Sequence, residues 1–172
     1  MLGTLGFSPY IFPMSRAFVK DDDGGESGQD LPDRLISEHP NLVTLKGMEQ
    51  IEAEVERLSL DYAQAQVSGD RLELQRIARD LRYWSARRSS AQAMSSVLGA
   101  DEVQFGSVVT IARADRQRQT YQIVGEDEAD PARGSISYVS PLAQSLLGKA
   151  VGERVAAGAG EAEIISIAQL AP

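Results

Sequence analysis

Apolar positions along this chain follow two different rhythms, and the change between them divides it. Met48, Ile51, Val55, Leu58, Tyr62 and Ala65 succeed one another at steps of 3-4-3-4-3, and Leu74, Ile77, Leu81, Trp84, Arg88 and Ala91 repeat the spacing. This is the a/d seam of a coiled coil rather than the broad stripe of a globular helix. Ser68-Gly69-Asp70 breaks the pattern between the two runs. Gly69 suits a left-handed residue closing one helix, and Asp70 is a good N-cap for the next. The pattern predicts an antiparallel helical hairpin (coiled coil) over 44–98. Glu49, Glu52, Glu54, Glu56 and Asp61 make the first helix acidic, while Arg71, Arg76, Arg79, Arg82, Arg87 and Arg88 make the second basic. Flanking charges are therefore expected to pair across the seam, each pair adding only a few tenths of a kcal/mol to what the apolar contacts provide.

From Val108 onward the period changes to that of strands. Val108-Val109-Thr110-Ile111, Thr120–Val124, Ile136–Ser140 and Ala162–Ile167 are short β-branched runs between polar stretches, with a further short strand at Val151–Val155. Ser140-Pro141 opens a helix that Gly148 closes: Ser as N-cap, Pro at the first helical position, Gly past the end. The expected fold class is α+β, the hairpin being followed over 103–170 by a small antiparallel sheet with one short helix. So small a core is marginal alone, and docking against the hairpin base is expected to help hold it. Residues 1–43 are read as a disordered or extended tail. Its Asp21-Asp22-Asp23-Gly24-Gly25-Glu26 stretch is acidic and glycine-rich, and burial there cannot offset the entropy of ordering. Residues 1–13 carry no further signal, and Met1 and Met14 both read as starts.

Composition then narrows the chemistry. Of 172 residues, 25 are acidic and 17 basic, a net charge of −8 that repels phosphate backbones and argues against autonomous nucleic-acid binding. The absence of cysteine excludes disulfides, thiol nucleophiles and thiolate metal sites, and fits a reducing, cytoplasmic setting. The single histidine, His39, lies beside Pro40 with no second ligand nearby, and reads as a solvated or capping residue. No activated nucleophile, histidine base or phosphate-cradling loop is visible, so the chain is not expected to be an enzyme, to hold a cofactor of its own or to take a small-molecule substrate. No run approaches the roughly 20 apolar residues of a membrane span.

Several blocks then carry a resemblance. Phe105-Gly106-Ser107-Val108-Val109, Thr120 through Asp130 (Thr-Tyr-Gln-Ile-Val-Gly-Glu-Asp-Glu-Ala-Asp), Ile136-Ser137, Ser140-Pro141-Leu142-Ala143 and Leu147-Gly148-Lys149 resemble, in order and spacing, the C-terminal domain of the bacterial Gre transcript-cleavage factors, GreA and GreB. Thr44-Leu45-Lys46-Gly47 is similar to that family's opening of the first hairpin helix, so the likeness covers about 44–168, with a shortened hairpin. The resemblance implies an FKBP-like sheet domain docking at the RNA polymerase secondary channel and a hairpin entering it. Two tip acids in a Gly-Asp-x-x-Glu context would then help to hold the second Mg²⁺ of the polymerase active site, so that the polymerase hydrolyses backtracked RNA. The matching positions are Asp70 and Glu73, hard oxygen donors of the kind Mg²⁺ prefers.

Each candidate also has a plainer reading. An acid at the N-cap with Glu three residues on is a capping box favoured by the helix dipole. After Glu73 this chain has Leu74-Gln75-Arg76, where the family usually has Asn-Ala-(Glu/Asp)-Tyr. Ser140, Pro141 and Leu142 lie where the family contacts polymerase, but Ser-Pro also simply starts a helix. The arginines of the second helix read first as a solvated and pairing face, and second as a contact with an acidic channel or, indirectly, with nascent RNA. Two functions follow: an elongation regulator modulating backtracking and transcript cleavage, or a binding-only occupant that inhibits polymerase or competes with Gre factors. A prolyl isomerase has only Phe105, Tyr121 and Tyr138 to build its pocket.

Overall fold

Thr44 begins the helical hairpin, and Gly69 turns it. The computed structural model describes residues 31–95 and 101–169, which belong to one unit beginning at Leu31. The tail expected over 1–30, the close of the hairpin expected over 96–98 and residue 170 lie outside the described residues. Helix α1 runs Leu45–Ser68 and α2 runs Arg71–Ser90. The Thr44 hydroxyl accepts the Gly47 N–H at 2.9 Å, satisfying one of the first-turn donors. At the far end Gly69 takes φ 72° and donates its N–H to the Ala65 carbonyl. Glycine adopts that left-handed geometry without steric cost, which is why the chain reverses there. Asp70 then caps α2, accepting the Glu73 N–H at 3.0 Å.

Between the helices Leu58, Ala65 and Ile77 are buried, with Tyr62, Leu74, Leu81 and Trp84 packed partly buried against them. Two seam expectations are corrected. Arg88 is exposed, while Arg87 is the buried neighbour at 2% exposure, because the base of α2 turns that face toward the sheet domain instead of α1. Among the described residues no ion pair joins α1 to α2. Arg57 bonds Glu54 and Asp61 within α1, and Arg76 bonds Glu73 within α2. Partners three or four residues along one helix are already adjacent, so these side chains have no need to cross the seam.

The stretch read as tail up to residue 43 is tied down at its end. Strand β1 (Leu42–Val43) pairs in parallel with β2 (Gln92–Ala93), and Val43 is buried. Asn41, also buried, donates to the Arg87 carbonyl at 2.7 Å and to Ser90 Oγ at 3.2 Å. Helix α2 accordingly stops at Ser90, where Ala91 turns extended and leads into β2.

A five-stranded sheet follows: β3 (Ser107–Arg113), β4 (Arg118–Val124), β5 (Ser135–Ser137), β6 (Arg154–Ala157) and β7 (Gly160–Gln169), in the order β5-β4-β3-β7-β6. It is mixed rather than wholly antiparallel as expected, since β5 pairs in parallel with β4, Ile123 opposite Ile136. A parallel pair cannot be closed by a tight turn, so the connection 125–134 must bring the chain back beside Gln122, from where β5 runs along the last three residues of β4. That connection carries Glu126, Asp127 and Glu128 and ends in a short 3₁₀ turn, Pro131–Arg133. Helix α3 (Pro141–Leu146) covers the sheet, and Val109, Ile111, Ile123, Ala143, Leu146, Ala157 and Ile164 are fully buried between them.

Candidate functional site

At the hairpin tip the fold brings Asp70 and Glu73 onto one helical turn and gives each a local task. Asp70 Oδ1 holds the Glu73 N–H, and its second carboxylate oxygen makes no hydrogen bond among the described residues. Both oxygens of Glu73 are taken by Arg76: Nη2 donates at 2.6 Å and Nε at 3.0 Å. This fork pushes the Arg76 guanidinium further up from its ordinary range, first through the hydrogen bond and then through charge. The pair is solvent-exposed and so screened by water, which leaves the Glu73 carboxylate open to competition from a divalent cation.

The donor set fits Mg²⁺ in kind but not in number. Two carboxylates on one turn supply hard oxygen, yet Mg²⁺ takes an octahedral set, so the pair suits a site completed from outside the chain. Among the described residues no cluster of three or more His, Asp or Glu could hold a metal ion.

The second predicted patch separates into unlike parts. Ser140 caps α3, its hydroxyl accepting the Ala143 N–H at 3.3 Å. Leu142 packs partly buried against the sheet core, and Pro141 alone is exposed. Gln144 donates to the Tyr138 carbonyl at 2.7 Å, which pins the helix to β5's end. The aromatics weighed for a proline pocket pack instead into the core: Phe105 meets Tyr138 edge-on at 5.9 Å, and Tyr121 lies against the same cluster.

A third group, which the sequence reading assigned no role, joins the hairpin base to the sheet domain. Glu128 accepts from the Thr44 N–H at 2.8 Å, from the Thr44 hydroxyl in a very short bond and from the Gly125 N–H at 3.2 Å. Asp127 accepts from the Tyr83 hydroxyl at 2.7 Å and from Arg87 Nε, and Glu126 lies 3.8 Å from Arg87 Nη2. Burial, then the Asp127 bond and charge, push the Tyr83 phenol up to about 12. Tyr138 donates to the Pro40 carbonyl; burial and then the Glu126 charge raise its phenol as well. Arg34 adds a cap to this side of α2, stacking 3.8 Å over the Tyr83 ring, while Asp33 pairs with Arg82 at 2.7 Å. The signals were present as an acidic run in the 125–134 connection and a Thr-x-x-Gly start to α1. Nothing local showed that residues 84 positions apart meet.

Comparison with known proteins bears on both halves. The family model described as "Transcription elongation factor, GreA/GreB, C-term" matches residues 98–169. The "Transcription elongation factor GreA" of Hyphomonas neptunium is 54% identical over 68 residues, 38% of this chain and 43% of that protein. The namesake from Desulfovibrio desulfuricans is 40% identical over 77 residues, 44% of this chain and 48% of that protein. These two matches thus span about half of the relatives' length. The "Transcription elongation factor GreA" of Rickettsia conorii matches further, 32% identical over 139 residues, 66% of this chain and 82% of that protein. Its span takes in hairpin as well as sheet. Among solved structures, the GreA factor homolog of Thermus thermophilus aligns with 75% of this chain and 99% of its own, at 26% identity and a TM-score of 0.36, too low for any argument about arrangement.

Proposed function

This chain belongs to the GreA/GreB family of transcription elongation factors, and from that premise we propose that it binds RNA polymerase at the secondary channel, hairpin toward the active site, and modulates backtracking and transcript cleavage. The observation that carries this reading is the placement of Asp70 and Glu73 together on the first turn after the hairpin's reversal, about 36 Å from the base by the length of the 24-residue α1. The sheet domain docks, with Pro141 and the Leu142 behind it as part of the contact, and the hairpin reaches inward. A second Mg²⁺ shared with the polymerase would stabilise an attacking oxygen. Asp70 offers its unengaged oxygen without giving up the cap, whereas Glu73 contributes only by leaving Arg76.

That last requirement favours a second reading, in which the chain occupies the channel without stimulating cleavage. Asp70 holding the Glu73 N–H is an ordinary N-cap, and Glu73 held by Arg76 is an i,i+3 ion pair instead of the reciprocal half of a capping box; neither needs a metal.

Stalled elongation complexes decide between the two. Under the first reading the wild type stimulates transcript cleavage, and Asp70→Ala/Glu73→Ala abolishes it at unchanged polymerase affinity. Raised Mg²⁺ partly restores the single variants by mass action. Under the second the wild type binds and alters elongation without cleavage, and the double variant does the same. A wild type with no affinity for polymerase contradicts both.

A further inference from the structure

We infer that Glu128, seated against Gly47, is the positioning residue that fixes the direction of the hairpin relative to the sheet domain and so places the tip on the partner. This rests on the proposed polymerase function and adds to it the residue that transmits docking at one end into placement at the other.

Three donors from two parts of the fold converge on the one carboxylate. The Thr44 N–H and hydroxyl belong to the hairpin's first turn, and the Gly125 N–H belongs to the connection leaving β4. Charge-assisted bonds of this kind are among the stronger ones available to a partly buried group. Thr44 in turn holds the Gly47 N–H, so the carboxylate, the cap and the first helical turn form one chain of bonds. Gly47 lies inside α1, where glycine is the poorest choice after proline for helix formation. Its φ is not what demands glycine, since the residue is ordinary helix. What demands it is space: a Cβ at Gly47 would overlap the carboxylate group of Glu128. The helix accepts a poor helix former in order to let the carboxylate in.

Leverage makes this contact matter at a distance. With α1 about 36 Å long, a tilt of about 10° at the base moves the tip by about 6 Å, more than a carboxylate can be displaced and still share a ligand. Arg87 and Asp127 hold the same joint from α2 but leave the first turn of α1 untouched. Of these contacts Glu128 is the one that grips the first turn of α1 directly, while those on α2 reach α1 only through the seam.

The chain has no cysteine, so a pair introduced at exposed Gln66 near the tip and exposed Glu163 on β7 gives two unique spin-label sites on the full-length protein. The label-to-label distance distribution is expected to be single and narrow in the parent and to broaden or shift by several ångströms in Gly47→Ala and in Glu128→Gln. Gly47→Ala keeps or raises helix content, so loss of the helix cannot account for that change. In Glu128→Gln one oxygen still accepts from the Thr44 and Gly125 N–H groups, but an amide NH₂ replaces the oxygen that takes the Thr44 hydroxyl, and the charge that strengthens all three bonds is lost. On stalled polymerase each variant is expected to bind within about twofold of wild type through the sheet domain while its effect at saturation falls at least tenfold. Gly47→Ala/Glu128→Gln should lose no more than either single change, because both act on one contact. Unchanged distances in Gly47→Ala, or losses that multiply in the double variant, overturn the positioning role while leaving the polymerase function standing. A parent protein without any effect on polymerase overturns the function, and the role with it.

Discussion

Arg87 and Arg88 are neighbours of the same type with opposite fates. Arg87 is 2% exposed and paired with Asp127, whereas Arg88 faces solvent. Removing Arg87 leaves the Asp127 charge partly buried and unpaired, so Arg87→Ala is expected to cost about 3–5 kcal/mol. Arg88→Ala should stay within about 0.5 kcal/mol. Urea unfolding of the two variants checks this, and equal costs would contradict the assignment. Tyr83 offers a test by pH. Its phenol is neutral while donating to Asp127, and it is pushed up from 10.0 to about 12. Between those values the unfolded chain gives up the proton while the folded chain keeps it. This contribution is complete below pH 10, and stability falls as pH rises through the window to about 12. Tyr83→Phe should lower stability at neutral pH by about 1 kcal/mol and flatten the alkaline decline; an equally steep decline would contradict the account. Neither partner of Asp127 was legible in sequence. A 3-4 spacing put Arg88 in the seam, and spacing along one helix carries no information about a connection 40 residues downstream.

At the scale of elements the pattern was far more readable. Both helices, their turn at Gly69 and the Ser140 cap were legible because a heptad seam, a left-handed glycine and an N-cap are all local chemistry. Strands β3, β4 and β7 were signalled by β-branched runs, whereas the run expected over Ile136–Ser140 ends at Ser137 and the strand expected over Val151–Val155 begins only at Arg154, after a turn. The parallel pairing of β4 with β5 was not signalled, since strand direction depends on where a connection returns. Trp84 shows the limit of a seam read as a rule. It is only partly buried, with its ring set edge-on to Tyr83 at 5.4 Å and Arg34 beyond. Trp84→Ala is therefore expected to cost about 2 kcal/mol, less than the 3–5 kcal/mol of a fully enclosed ring. Calorimetry or urea titration reads this directly, and a loss above about 4 kcal/mol would show the ring to be enclosed. Asp70→Ala should cost about 1 kcal/mol through the lost cap alone, measured as a fall in unfolding free energy with the sheet domain unaffected.

For the whole molecule, the account is that a sheet domain docks, a clamped base fixes a direction, and a two-helix arm delivers a pair of acids to a remote point. The tip acids suit a metal only as contributors to a site completed from outside the chain. What the arm reaches is the central claim, and one measurement meets it most directly. A photo-crosslinker at exposed Gln66, carried by the full chain into a stalled complex with RNA polymerase, reports what surrounds the tip. The account predicts crosslinks to the active-site elements of the large catalytic subunits, or to the backtracked RNA end, with crosslinks from exposed Pro141 confined to the channel rim. Equal labelling of outer polymerase surfaces from both positions, or no labelling from Gln66 while the chain remains bound, would contradict it.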